Sequence, residues 1–112
     1  MLLLRTRIRV DRAQRAKVIR SLARILGPMR TVCGCVGCHL YADLEDESVL
    51  MFAEEWEDEE SLTAHLRAES ARVLLSAIDC ASAPPDVRLD TVRETKGMEF
   101  IVSCRDGDYR GT

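Results

Sequence analysis

The stretch Gly34–Asp58 constrains the fold more than any other part of this 112-residue chain. Two runs of alternating apolar residues, Cys35–Tyr41 and Val49–Trp56, flank an acidic connector that contains a serine. This pattern predicts a β-hairpin with a long loop, because successive side chains of a strand point to opposite faces. One face of the second run carries Leu50, Phe52, Glu54 and Trp56. Both faces are largely apolar, so we expect this sheet to be covered on both sides.

The segments on either side of the hairpin predict the other elements of an α+β domain. They are a strand over Leu2–Val10, a helix from Asp11 to Gly27-Pro28, a helix from about Glu59 with a break at Glu69-Ser70, a strand over Val87–Val92, and a short extra strand over Met98–Cys104. The order β-α-β-β-α-β is that of the ferredoxin-like fold, an antiparallel sheet with both helices on one face. Right-handed crossovers place the first strand beside the third. We expect one domain over 1–112, with its core in 2–93 and an appendix in 94–112.

The second face of such a sheet has no helix to cover it. We expect Leu50, Phe52 and Trp56 to lie on that face, where an apolar surface of this size requires a partner. The simplest partner is a second copy of the chain related by a two-fold axis. The sequence therefore predicts a homodimer.

Charge is distributed very unevenly along the chain. Residues 1–40 hold nine Lys/Arg against one acid, and residues 41–70 hold eleven acids against one base. Two complementary blocks in one small domain neutralise each other without nucleic acid. Arg5, Arg7 and Arg9 are expected to lie near Glu54, Glu55 and Glu57. With five aromatic residues in the chain, an RNA-binding platform of stacked bases is disfavoured. The apolar start is cut short by Arg5 and is too short for a signal peptide or a membrane span, so a cytoplasmic protein without a membrane partner is predicted.

The cysteines are expected to be reduced thiols without a metal. Their number, five, is odd, and no secretion signal suggests a disulfide framework. Cys35-Val36-Gly37-Cys38-His39 has the letters of a haem attachment motif, and Cys33 adds a third thiol. On a regular strand Cys35 and Cys38 point to opposite faces, which argues against covalent haem, zinc and iron–sulfur clusters alike.

Several blocks of the sequence resemble the antibiotic biosynthesis monooxygenase superfamily, with its quinol-monooxygenase-like members as the nearest match. The resemblance covers about residues 2–93 and is carried by Gly34-Cys35, Tyr41, Asp43-Leu44-Glu45-Asp46, Glu54-Glu55-Trp56-Glu57-Asp58, Ala64-His65-Leu66 and Pro84-Pro85-x-Val87. It implies a dimeric α+β barrel. It also implies oxidation of electron-rich phenols or quinols by O2, in many members without any metal or organic cofactor, whereas other members degrade haem.

Two departures from the family pattern bear on the activity. Relatives often carry a His-aromatic pair in the middle of the second helix, where this chain has Ser70-Ala71. The first-strand Asn of haem-degrading members is missing, since the chain contains no Asn, and Thr6 lies near that position.

The resemblance makes Trp56 and His65 the candidate catalytic residues, because they match recurrent pocket residues of the family. Tryptophan offers an apolar plate with one N–H donor, and histidine relays protons near neutral pH. The substrate is predicted to contact Thr6, His39, Tyr41, Leu50 and Phe52. The alternative for Trp56 and His65 is a packed core tryptophan beside a satisfied histidine.

The resulting hypothesis is a homodimeric, cofactor-independent monooxygenase that oxidises a small electron-rich aromatic compound with O2. Two alternatives stay open at this point. One is a non-catalytic dimer that binds a small aromatic ligand, and the other is a haem-degrading relative. Oxygen uptake with hydroquinones separates the first alternative from the hypothesis.

Overall fold

A computed structural model describes residues 1–107 of the chain as one antiparallel sheet, with the helices between the first and last strands of the chain packed on one side. The strands are β1 (Leu2–Arg9), β2 (Cys35–Ala42), β3 (Val49–Trp56) and β4 (Asp86–Thr91). The helices are α1 (Arg12–Met29), α2 (Glu59–Arg67), a 3-10 turn (Glu69–Ala71), α3 (Arg72–Asp79) and α4 (Met98–Arg105). The strand order is β2-β3-β1-β4, so the ferredoxin-like topology and the central position of β1 beside β3 are confirmed. Within residues 1–107, no helix is long and apolar enough to span a membrane.

The two faces of the sheet follow from the register of β1 and β3. Leu4 pairs with Glu54, Thr6 with Phe52 and Ile8 with Leu50, and these side chains point toward the helices. We call this side the covered face. The core beneath it is completed by Val18 and Leu22 of α1, Leu62 of α2, and Leu74 and Ala77 of α3.

The expected position of the large apolar side chains was wrong. Leu50, Phe52 and Trp56 lie on the covered face, with 1%, 1% and 0% of their surface exposed. The helices have apolar stripes that must be buried as well, and packing them against this face satisfies both surfaces inside one chain. These three residues therefore give no argument for a dimer.

The other side of the sheet, which we call the open face, carries the charged alternate positions of the strands. Arg5 pairs with Asp90 at 2.6 Å, Arg7 with Asp43 at 3.8 Å, and Arg9 with Asp46 at 2.7 Å. The expected proximity of the arginine row to Glu54 was wrong. Glu54 points to the covered face, whereas the arginines point to the open face. Basic residues near the start of the chain nevertheless meet acids of the hairpin connector.

The break predicted in the second helical segment is confirmed. Asp58 begins α2 by accepting a hydrogen bond from the Ser61 backbone at 2.7 Å. Helix α2 ends at Arg67, and the 3-10 turn at Glu69–Ala71 redirects the chain into α3.

The extra strand predicted over Met98–Cys104 was wrong, because this segment forms the helix α4. A short apolar run fits either structure, and its periodicity does not decide between them. The segment is not hydrogen-bonded to the free edge of β4, so nothing favours the extended form. Residues 108–112 of the predicted appendix lie outside the described residues.

Candidate active site

Three polar side chains are buried on the covered face, and no other polar side chain of residues 1–107 is buried to this degree. They are Thr6, Glu54 and His65, with exposed fractions of 2%, 0% and 3%. Burying a polar group in an apolar core is costly unless it is partnered. At these three positions the core therefore contains polar groups that need partners.

Trp56 and His65 meet as the sequence predicts. Their rings stack with centroids 4.9 Å apart and an interplanar angle of 28°. Trp56 is the last residue of β3, and α2 begins three residues later, so the short connection returns His65 over the strand end. Trp56 also donates from Nε1 to Glu54 Oε1 at 3.1 Å, because residues i and i+2 share a face of the strand.

His65 has a polar partner at each ring nitrogen. Ser70 Oγ lies 3.0 Å from Nδ1, and Glu54 Oε1 lies 4.0 Å from Nε2. The break after α2 positions Ser70, since it turns the chain back toward the end of that helix. When the Ser70 hydroxyl donates to Nδ1, the ring hydrogen of neutral His65 resides on Nε2 and faces the Glu54 carboxyl.

Burial changes the acidity of both ionisable members of this group. It raises the pKa of Glu54 from 4.5 to about 7, although the hydrogen bond from Trp56 opposes the change. Burial lowers the pKa of His65 below its usual value of 6.5. Glu54 Oε2 has no hydrogen-bond partner among the described residues. The carboxyl is therefore poised to gain or lose a proton near neutral pH.

An open cleft of about 310 Å³ reaches this group from the surface. We call it the His65 cleft, and its lining consists of Val32, Cys33, Glu60, Ser61, Ala64, His65, Ala68 and Ser70. Its walls are mostly small or apolar, and Ser70 and His65 are adjacent polar groups in it. The backbone fits closely at one end, where Gly34 has a φ of +86° and a Cβ atom there would collide with Ser61.

The residues predicted to contact substrate fall into two groups. Thr6, Leu50 and Phe52 share the covered face with Trp56 but lie inside the packed core. His39 and Tyr41 lie on the open face, with ring centroids 6.1 Å apart. One sheet separates these two from His65, so they do not join the same site.

Sequence reasoning missed Glu54 and Ser70 as members of this site. A glutamate at an inward position of an otherwise apolar alternation was the available signal for Glu54. Ser70 gave no comparable signal, because it was recognised as a helix break and a departure from the family pattern.

The prediction that Cys35 and Cys38 point to opposite faces of the sheet was also wrong. A β-bulge between Cys35 and Gly37 pairs Cys35 with Trp56 and Cys38 with Glu54, so both thiols point toward the covered face. Burial and the nearby Glu54 raise the pKa of Cys35, and the same two causes raise that of Cys38 to about 12. In residues 1–107 no group of three or more potential ligands is arranged to hold a metal ion.

A second cleft, of about 290 Å³, lies between α1 and α3. Its lining includes Lys17, Ser21, Arg72, Ser76 and Cys80. None of the residues predicted for catalysis or substrate contact belongs to it.

Comparison with known proteins finds a family whose model matches the part of the chain that carries the candidate site. The model of the family described as antibiotic biosynthesis monooxygenase matches residues 1–74. This range includes Thr6, Glu54, Trp56, His65 and Ser70. No curated protein matches the sequence.

Solved structures share the fold at low sequence identity. A provisionally assigned antibiotic biosynthesis monooxygenase from Deinococcus radiodurans is 15% identical, with a TM-score of 0.79 over 88% of this chain and 98% of that one. A Mycobacterium tuberculosis protein is 15% identical, with a TM-score of 0.77 over 86% and 98%. A conserved Methanosarcina mazei protein is 19% identical, with a TM-score of 0.73 over 80% and 89%. At these identities the likeness shows the fold alone.

Proposed function

This chain belongs to the antibiotic biosynthesis monooxygenase family, and we propose that it oxidises a small electron-rich phenol or quinol with O2 at the His65 cleft. Family membership supports a monooxygenase-like role in general. The choice of substrate class and of the cleft rests on one observation. A buried histidine, stacked on tryptophan, has a hydroxyl at one ring nitrogen and a carboxyl near the other, and it lies at the inner end of a cleft.

The first task of such a site is to remove the proton of the phenol. A phenol bound in the His65 cleft reaches the Ser70 hydroxyl, which is already directed at His65 Nδ1 at 3.0 Å. His65 has its pKa lowered by burial, so the ring is neutral near pH 7 and its Nδ1 accepts a proton. The phenolate that results is far more easily oxidised than the phenol.

The oxidation balances with O2 as the only other reactant. The phenolate transfers electrons to O2, and a C–O bond forms at an unsubstituted ring carbon to give a hydroperoxide. Loss of one water, with return of the abstracted proton, leaves a quinone. Overall, HO–Ar–H and O2 become O=Ar=O and H2O, and the substrate loses four electrons.

Trp56 and the packed core would contribute orientation and exclusion of water. The Trp56 ring is fully buried and holds His65 by stacking at 4.9 Å. A side chain held by stacking on one face and by the Ser70 hydroxyl at Nδ1 loses little freedom when substrate binds. The low polarity of the surroundings also strengthens the attraction between developing charges.

We further propose that the protein forms a homodimer through the open face. Within residues 1–107, no helix is packed against this face, and Leu3, Met51 and Ala53 on it are half-buried. Arginine and aspartate side chains alternate around them, which suits contact with the same surface of a second copy. The site lies on the other side of the sheet, so the proposed dimer would leave the His65 cleft accessible.

The test is incorporation of labelled oxygen by the wild-type protein. Hydroquinones, naphthols and anthrols are incubated with 18O2 in the presence of EDTA, with heat-denatured protein as the control. The proposal expects one 18O atom in each product molecule and one O2 consumed per product. Binding of these compounds without oxygen consumption would instead support a non-catalytic aromatic-ligand protein. Quinone formation that yields hydrogen peroxide and no label would show simple autoxidation.

A further inference from the structure

The buried carboxyl of Glu54 is one element that the proposed function leaves unassigned. We propose that Glu54 accepts the proton that His65 passes on, so that Ser70, His65 and Glu54 form a relay from the cleft into the core. Its use in turnover rests on the proposed function. The ability of Glu54 to gain and lose a proton near neutral pH does not, and it is tested separately below.

The geometry arranges the three groups in sequence. Ser70 Oγ and His65 Nδ1 are 3.0 Å apart, and His65 Nε2 and Glu54 Oε1 are 4.0 Å apart. The second distance exceeds a hydrogen bond, so the relay requires the imidazole to move closer to Glu54 during the transfer. Ser70 and His65 line the cleft, whereas Glu54 has no exposed surface.

The surroundings of Glu54 favour a role in proton transfer over a role in packing. From its own strand, Trp56 Nε1 donates to Oε1. From β2, the Cys35 and Cys38 thiols are near enough for its charge to raise their pKa, and from β1 it pairs with apolar Leu4. From α2, Nε2 of neutral His65 lies 4.0 Å from Oε1. Oε2 has no partner among the described residues, so the hydrogen bond from Trp56 satisfies only one oxygen of this buried carboxyl.

The proton transfer balances at every atom. The phenol O–H bond breaks, and its proton goes to Ser70 Oγ as the serine proton moves to His65 Nδ1. The hydrogen on Nε2 then passes to ionised Glu54 Oε1. His65 is neutral before and after, with its hydrogen moved from Nε2 to Nδ1, and Glu54 becomes a neutral acid. The reverse transfers return the proton when water is released from the hydroperoxide.

This relay has a defined pH dependence. Glu54 must be ionised to accept a proton, and burial raises its pKa to about 7. Turnover is therefore expected to rise as the pH increases from about 6 to 8. His65 remains neutral over this range because its pKa is lowered, so it does not reverse the trend.

The ionisation of Glu54 is tested without substrate by the fluorescence of Trp56, the only tryptophan in the chain. Its ring contacts both His65 and Glu54, so its emission reports their protonation. In the wild type we expect a titration with a midpoint near pH 7. Glu54→Gln should abolish it, and Glu55→Gln, the neighbouring carboxyl on the open face, should not. An unchanged titration in Glu54→Gln would overturn the proposal.

A second measurement covers the case in which Glu54→Gln does not fold. Carbon NMR of the wild type, with glutamate labelled at the side-chain carboxyl, resolves one signal for each glutamate. One carboxyl titrating near pH 7 would support the proposal, and titration of every glutamate near its ordinary value would overturn it.

The role in turnover is tested with a phenol that the wild type oxidises. Glu54→Gln and Ser70→Ala should each lower kcat at least tenfold at pH 8 with little change in KM, and Glu54→Gln should flatten the pH profile between 6 and 8. Wild-type rates and an unchanged profile in Glu54→Gln would refute the relay and leave the proposed function standing. If the wild type oxidises no phenol, the proposed function fails, and the fluorescence titration then decides only whether Glu54 gains and loses a proton near neutral pH.

Discussion

The two faces of one sheet place the same residue types in opposite environments. Glu54 and Glu55 are neighbours in sequence, yet Glu54 is buried among Trp56, His65 and the cysteines while Glu55 lies on the open face. The two histidines are divided in the same way, with His65 of α2 buried and His39 of β2 exposed. A one-residue step along a strand thus decides whether a titratable group meets water or the core.

The carboxyl groups show what this difference does to acidity. On the open side, hydrogen bonds from Ser48 and Arg9 lower the pKa of Asp46 to about 2, so it is a fixed negative charge at neutral pH. On the covered face, burial raises the pKa of Glu54 to about 7. The covered face therefore combines exclusion of water with a group able to exchange a proton near neutral pH.

The largest effect is expected from removing the central ring of the covered face. Trp56→Ala should lower the free energy of unfolding by about 3–5 kcal/mol, because it leaves a large cavity and removes the hydrogen bond to Glu54 Oε1. Tyr41→Ala on the open face should cost about 0.5 kcal/mol or less, since that side chain is 54% exposed. Urea unfolding of both variants measures the difference. Equal losses would mean that the two faces are equally important for stability.

The next effect is a pH-dependent gain in stability when the buried carboxyl is replaced. Between its ordinary pKa of 4.5 and its folded value of about 7, Glu54 holds a proton in the folded protein that the unfolded chain releases. The wild type therefore loses stability as the pH rises through this range, by roughly 3 kcal/mol in total.

Glu54→Gln removes this loss, so its stability relative to wild type should increase from pH 5 to pH 8. Glu55→Gln is the matched control and should show no such trend. Guanidinium unfolding at several pH values gives the slope. A difference between Glu54→Gln and wild type that does not vary with pH would show that the carboxyl ionises normally in the folded state.

The smallest effect concerns the proposed dimer. Met51 lies on the open face between Arg7 and Tyr41, so Met51→Lys adds a like charge beside Arg7 at the proposed interface. It should raise the dimer dissociation constant at least tenfold, about 1.4 kcal/mol. Leu75→Lys, at a half-exposed position of α3, should leave it unchanged. Light scattering across a dilution series makes the comparison, and a wild-type monomer at micromolar concentration would contradict the dimer.

The element order could be read from the sequence, but the assignment of the faces could not. The alternation in Val49–Trp56 shows which side chains share a face, whereas the helices decide which face they cover. The same limit explains why Leu50 and Phe52 were expected at an interface between chains. The Trp56–His65 contact was predictable because a short connection joins their elements.

Two local features had no clear signal in the sequence. The bulge next to Cys35 depends on the pairing with β3, and it reversed the expected direction of that thiol. The apolar run in Met98–Arg105 was compatible with strand and helix alike. The contribution of Ser70 depended on where the break after α2 directs the chain, which is a tertiary property.

The most direct test of the account compares the two histidines in turnover. His65→Gln and His39→Gln make the same chemical change on opposite faces, and glutamine suits the buried position of His65 better than alanine. With a phenol that the wild type oxidises, initial oxygen consumption should fall about 10²-fold in His65→Gln, the usual loss for an acid–base group. It should stay within about twofold of wild type in His39→Gln. A His65→Gln variant that is folded and oxidises the phenol at the wild-type rate would contradict the account.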